Sequence, residues 1–289
     1  MKKFIIVTIL CCCALVNSVW ANQTRMRILM AGDYLDDVTN INIYPQQIMI
    51  YRNSLYGDIA SGLENYGIII SPVSKYGALA CWQNALETTE FYIGYAITLF
   101  NFDIGIAGSP VKDHLEFGLG IGRTFFDRRF DLSFHGTDTD DDAWYKFNLR
   151  ITKRKGDFAV VPKYALDYVR EPYECNRHRI GLVLQRLILN EGFVYLGAEY
   201  DFSRGDVQND YTNVYAGLEV PVGRRVVLLL GVKETFIKGF ESPEWFIEPG
   251  ISIRIREFML DFHLNKERLF DRYTNLINSF GLELRFGRF

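Results

Sequence analysis

The chain has 289 residues, 35 of them acidic and 32 basic, for a net charge of −3 and a pI near 5.9. A nucleic-acid partner calls for a basic face, so this balance argues against one. Aromatic residues make up 15% of the chain and glycine is frequent at 24 residues, yet mean hydropathy is −0.01; beyond the N-terminus no segment reaches the ~20 apolar residues of a membrane helix.

The chain opens Met1-Lys2-Lys3, runs apolar from Phe4 to about Val16 and reaches Ser18-Val19-Trp20-Ala21. A basic start, a short apolar core and small residues before a cut after Ala21 predict a secretory signal peptide over residues 1–21. Cys11, Cys12 and Cys13 lie inside that core, and lipidation at one of them would leave too short an apolar run. The mature chain keeps Cys81 and Cys175, too few for a disulfide framework; one bridge or two thiols are both open.

Residues 22–61 are expected to form an N-terminal segment that plugs a lumen, followed by a transmembrane β-barrel over 62–289. Asp36, Asp37, Asn40 and Asn42 are too polar for a lipid-facing strand, while Ile41, Ile43, Ile48 and Ile50 are too apolar for a free tail. Inside a barrel such backbone finds protein or water partners, and Pro45 is expected to mark the bend toward the wall.

From there the chain falls into period-2 segments. In Trp144–Thr152 one face carries Tyr145, Phe147, Leu149 and Ile151, and the other Lys146, Asn148, Arg150 and Thr152. Successive strand side chains point to opposite faces, so one face meets an apolar phase and the other water. Strands are predicted near 91–99, 101–109, 114–125, 127–136, 143–153, 156–170, 177–188, 191–204, 211–221, 223–237, 244–255, 256–265 and 277–289. Less regular segments stand at 54–61, 66–73 and 76–84. Single-chain bacterial barrels usually have an even strand number; fourteen is expected, with sixteen as the alternative. A soluble sandwich also alternates, but here the polar faces carry glycine and charges of both signs, as a wet lumen would. Tight links at Phe100-Asn101, Phe126-Asp127, Lys153–Gly156, Asn190-Glu191, Gly223-Arg224 and Arg256-Glu257 interleave with longer polar ones. That alternation fits short periplasmic turns and longer outer loops.

The expected lumen-facing charges are Glu116, Asp131, Lys146, Arg150, Lys163, Asp167, Glu199, Glu219, Lys233, Glu248, Arg254 and Asp261. They could form a constriction that selects solutes, or pair across strands and simply fill the lumen. Trp144, Tyr145, Tyr168, Tyr173, Tyr200, Tyr211, Trp245 and Tyr273 are expected in an interfacial girdle. The acidic run Asp138–Asp142 lacks the Gly and distal Glu of a calcium loop, which favours a solvated loop. His114, His135, His178 and His263 show no metal spacing, and no nucleophile elbow or phosphate loop occurs. Neither enzyme activity nor a cofactor is therefore expected.

The last strand, Ser279–Phe289, resembles the C-terminal signal by which outer-membrane barrels are recognised for insertion, with Phe289 as the terminal aromatic. Its apolar set Phe280, Leu282, Leu284 and Phe286 is one residue out of phase, which a bulge at Gly287 would correct. The stretch Leu35–Pro45 and the later Glu248-Pro249-Gly250 resemble the long-chain fatty acid and hydrocarbon transporter-like barrels and the related secretion-associated barrels. Tyr44 stands where that family has Asn, and Gln46-Gln47 replaces its small residues. The resemblance implies an outer-membrane barrel in a Gram-negative-type envelope that takes up small hydrophobic or amphipathic molecules passively. The alternative is a non-transporting scaffold or anchor for surface secretion. Expected partners are outer-membrane lipid and lipopolysaccharide, the barrel-assembly machinery and a hydrophobic small molecule.

Overall fold

The computed structural model describes residues 23–60, 63–84, 90–110, 115–138, 143–171, 174–188, 192–237, 241–269 and 271–286. The expected signal peptide, His114, residues 139–142 of the acidic run, Tyr173 and Phe289 lie outside them.

The described residues contain sixteen antiparallel strands: β1 (Ser54–Ala60), β2 (Leu63–Ile70), β3 (Ala78–Asn84), β4 (Glu90–Leu99), β5 (Phe102–Pro110), β6 (Leu115–Phe125), β7 (Arg128–Asp138), β8 (Ala143–Lys155), β9 (Phe158–Glu171), β10 (Cys175–Ile188), β11 (Gly192–Gly205), β12 (Asp210–Pro221), β13 (Val226–Ile237), β14 (Glu241–Ile255), β15 (Phe258–Leu264) and β16 (Ile277–Arg285). From β2 to β16 each strand pairs with the next; β16 pairs with β1, and β1 lies against β2, so the sheet closes on itself.

The wall is polar inside and apolar outside. On β7 Phe130, Leu132 and Phe134 are exposed, while Asp131, Ser133 and His135 between them are buried. On β6 Leu119 and Ile121 are exposed and Gly118, Gly120 and Gly122 are buried. Leu182, Leu184, Leu196 and Leu228 continue the outer apolar band. A soluble sandwich would bury these side chains against a second sheet; here only hydrocarbon can cover them. Among the described residues no helix is long and apolar enough to cross a membrane.

The expected fourteen strands are corrected to sixteen, because β1, β2 and β3 are wall strands. Ser54–Ala60, assigned from sequence to the N-terminal segment, pairs residue for residue with β16 from Ser54↔Arg285 to Ala60↔Ser279. The physical reason lies inside. Tyr56, Ile69 and Trp82 on these strands are buried in one apolar cluster with Ile41 and Ile48 of the N-terminal segment. Apolar residues on both faces erase the period-2 signal that marks the other strands.

Turns at 100–101, 126–127, 156–157 and 256–257 are two residues long. Phe100 and Asn101 both have positive φ, the geometry that matches the twist of a tight hairpin. The long connection 265–276 lies at the opposite end, and β1 begins and β16 ends at the tight-turn end. By the rule for bacterial barrels the tight-turn end faces the periplasm.

Candidate functional site in the barrel interior

Residues 23–53 do not alternate, and they do not enter the sheet. They form a short helix, α1 (Gln23–Leu29), then single 3-10 turns at Gly32–Tyr34, Val38–Asn42 and Pro45–Met49. Asp37 caps the second turn, accepting from Thr39 N at 3.1 Å. Pro45 sits in the first helical position of the third, where its missing N–H costs nothing. The helix α1 packs against β12 to β16, and the Pro45–Met49 turn packs against β3 to β6.

Apolar and polar contacts anchor the segment on opposite walls. Ile28, Leu29, Tyr34 and Leu35 are buried with Val161, Val183, Tyr195, Tyr215, Val227 and Leu229. Ile41, Ile48 and Met49 join the cluster of β1–β3. Two close approaches depend on glycine. A Cβ at Gly105 would stand 2.3 Å from Gln46 N, and one at Gly231 would stand 1.9 Å from the Ile28 carbonyl oxygen.

The ionic contacts run through the wall residues. Asp131 is fully buried; it accepts from Gln46 Nε2 and Gln47 Nε2, each at 3.1 Å, and pairs with Arg150 at 3.1 Å and Arg129 at 3.0 Å. Arg150 donates to the Asp33 carbonyl at 2.7 Å and lies over the Tyr44 ring at 5.0 Å. Lys163 pairs with the Asp33 carboxylate. Tyr34 donates to Glu199 at 2.9 Å. Arg25 bridges Asp37 at 3.0 Å and Glu219 at 2.8 Å, and Glu219 also holds Arg254.

Burial lifts the Asp37 carboxyl to about 6, against the pull of Arg25 and with Glu283 adding to the rise. Burial works the same way on Asp33, but Lys163, with Arg150 behind it, outweighs it and holds that carboxyl below its usual range.

The other expected residues are more dispersed. Asp167 pairs with Arg179 at 3.0 Å, and Glu248 accepts from His263 at 2.6 Å and Lys266 at 3.2 Å. Asp261 is fully buried across the strand pair from Ser252, and Lys233 is half-buried beside Asp33 and Tyr215. Glu116 accepts from the Tyr92 hydroxyl, and Lys146 is exposed over the Trp144 ring at 4.4 Å. Asn40 is buried and donates to the Leu35 carbonyl at 2.7 Å, whereas Asp36 is exposed and pairs with Arg154 at 2.6 Å. Cys81 and Cys175 are not bridged.

One girdle residue is reassigned. Trp144 lines an interior cavity with Lys146, while Tyr145 stacks with Tyr168 and Phe134 on the other face. Adjacent residues of a strand cannot share a face, so only one of the pair can meet lipid. Arg25, Asp33, Tyr34 and Gln46-Gln47 escaped the sequence reading, since no periodicity marks them. A usable signal was the run of inner-face glycines in β5 and β6, which leaves room for a third layer.

Cavities lie on either side of the segment. One of about 260 Å³ and one of about 350 Å³ open near the tight turns and share Arg25 and Asp36. A third of about 350 Å³ lies at the loop end, floored by Asn42 and Ile43.

No protein-family model matches the chain, and no curated protein matches it. Solved structures do. A bacterial polysaccharide outer membrane secretin aligns at TM-score 0.57 and 10% identity, over 81% of this chain and 97% of that one. A porin aligns at TM-score 0.50 and 12% identity, over 81% and 90%. OmpT, an outer membrane protein of Vibrio cholerae, aligns at TM-score 0.48 and 10% identity, over 80% and 93%. With the apolar exterior and the sixteen-strand closure, the chain is an outer-membrane β-barrel of porin-like architecture. The narrower resemblance to fatty acid and hydrocarbon transporter-like barrels rests on the sequence alone.

Proposed function

We propose that this barrel is a plugged conduit for small amphipathic or polar solutes, and that residues 23–53 are its plug. The observation that carries the reading is the bracing of one short segment against β7, β9 and β12 through Gln46–Asp131, Asp33–Lys163 and Arg25–Glu219, and by apolar clusters against β9–β13 and β1–β4, between an outer cavity and two inner ones. Passive uptake of hydrophobic molecules is what the sequence resemblance implies. Cavity linings such as Arg25, Asp36, Arg154 and Asp167 favour the amphipathic end of that range. The wall lies among outer-membrane lipid and lipopolysaccharide, and in this reading the barrel-assembly machinery reads the strand that ends at Phe289.

Buried ion pairs on the scale of Asp131–Arg150 also suit a lumen that never opens, which is the scaffold reading. Planar-bilayer recording separates the two. A conduit shows discrete openings as wild type and a permanently open state when residues 26–45 are deleted. A wild type that stays silent at every voltage and solute condition, with heat-modifiability proving that it is folded, would leave the scaffold.

A further inference from the structure

The lipid-facing side of the wall ends in two ways at the tight-turn end. Around much of the barrel it stays apolar to the last pairs, with Ile70 opposite Leu79, Leu99 opposite Phe102, Val226 opposite Ile253 and Phe258 opposite Leu284. From β6 to β10 it turns cationic. The β8 face that carries Phe147, Leu149 and Ile151 continues as Lys153 and Lys155. On β7 the exposed Leu132 and Phe130 are followed by Arg128, on β6 Leu119 and Ile121 by Arg123, and on β10 Leu182 and Leu184 by Arg186.

The strand register gathers these side chains into one patch. Arg128 stands directly opposite Lys153, and Lys155 and Arg186 flank Phe158 from either side. Arg186 lies over the Phe158 ring at 5.3 Å, and Arg123 over the Phe102 ring at 4.4 Å. Like charges directly opposite each other destabilise a strand pair. The protein supplies little to offset this. Arg128 reaches the exposed Asp127 at 3.7 Å, and the other four have no carboxylate in ion-pair range among the described residues.

Arg128, Lys155 and Arg186 are exposed, so their charged ends are free to meet a partner. Long cationic side chains at the edge of an apolar band lie along it and place their heads at the level of the lipid headgroups. The tight-turn end faces the periplasm, where the neighbouring leaflet presents phospholipid. We propose that β6 to β10 form a docking face for acidic phospholipid, with a headgroup phosphate between Arg128 and Lys153 and with Lys155 and Arg186 beside it. An anion there converts the repulsion between Arg128 and Lys153 into two attractions. Confinement to one sector separates this face from a uniform collar of interfacial cations. The inference holds whether or not the lumen conducts.

The test is native mass spectrometry of the full barrel released from vesicles of equal parts phosphatidylglycerol and phosphatidylethanolamine. Phosphatidylglycerol should be retained at least about tenfold over phosphatidylethanolamine, as clustered cations favour acidic lipid. Arg128→Gln, Lys153→Gln, Lys155→Gln and Arg186→Gln combined should abolish that preference. Lys75→Gln, Arg224→Gln, Arg225→Gln and Arg256→Gln combined remove as many cations from other turns at the same end and should leave it unchanged. Inorganic phosphate equimolar with the lipid should not displace it. The heat-modifiable shift checks folding, and Lys153→Gln with Arg186→Gln, which should lower the preference at least about threefold, serves if the fourfold variant does not fold. Equal retention of the two lipids by the folded wild type overturns the proposal. So does a preference that survives loss of the patch, one that falls equally in the control variant, or displacement by inorganic phosphate.

Discussion

At the residue scale, the inner face of the wall was legible and its partners were not. Asp131 and Arg150 stand alternately with Leu132 and Leu149 along their strands, and that phase is written in the sequence. That Asp131 also receives Gln46 and Gln47 depends on a chain separation of 85 and 84 residues, which no local pattern encodes. Asp37 shows the consequence for pH. Its carboxyl titrates at about 6 in the docked segment, against 3.8 ordinarily, with burial the leading cause. A carboxyl raised on folding binds its proton more tightly in the folded state, so docking strengthens as pH falls from above 6 toward 4 and weakens as pH rises through 6. Arg25, Glu283 and Thr39 face it, and Asp261 is near enough to share Arg25. Asp33 has the opposite sign, and its contribution is lost only below the ordinary carboxylate range. Amide exchange of residues 23–53 should therefore slow between pH 7.5 and pH 5, after correction for intrinsic rates. Asp37→Asn should flatten that difference. Faster corrected exchange at pH 5 would show that the loss of the Arg25–Asp37 pair outweighs relief of the buried charge.

At the scale of elements, the long strands β8 to β14 announce themselves through period 2, and the short strands β1 to β3 do not. The difference is environmental. The first group meets lipid on one face and charges or water on the other, whereas the second meets lipid outside and an apolar turn inside. A face assignment in β8 is open to direct test. Leu149 is half-buried on the face shared with Phe147 and Ile151, and Arg150 beside it is 1% exposed. Leu149→Arg should destabilise the barrel by about 2–4 kcal/mol if position 149 lies near the bilayer midplane. Reversible urea unfolding in lipid vesicles reads this directly. A neutral Leu149→Arg would place that face toward water.

At the scale of the whole molecule, sixteen strands enclose more space than wall side chains fill, and residues 26–51 pack against two separate parts of the wall. The sequence carried the materials for this, a polar segment punctuated by Ile41, Ile43 and Ile48, but not its two-sided attachment. The attachment divides into separate apolar clusters, one joining residues 26–35 to β9–β13 and the other joining residues 38–51 to β1–β4. They need not fail together. Ile48 is fully buried, and it lies against Trp82 where Gly94 leaves space for both. Ile48→Ala removes apolar contact from one cluster only, a change that costs about 2–5 kcal/mol at a core position. Because β1–β3 are short and lean on that cluster for their inner face, the cost should be spent locally. Amide exchange should accelerate in residues 38–51 and in β2 and β3, while α1 and β9–β13 keep their protection. Uniform acceleration through both clusters would mean that the segment docks as one cooperative unit, released from the wall all at once rather than from one side first.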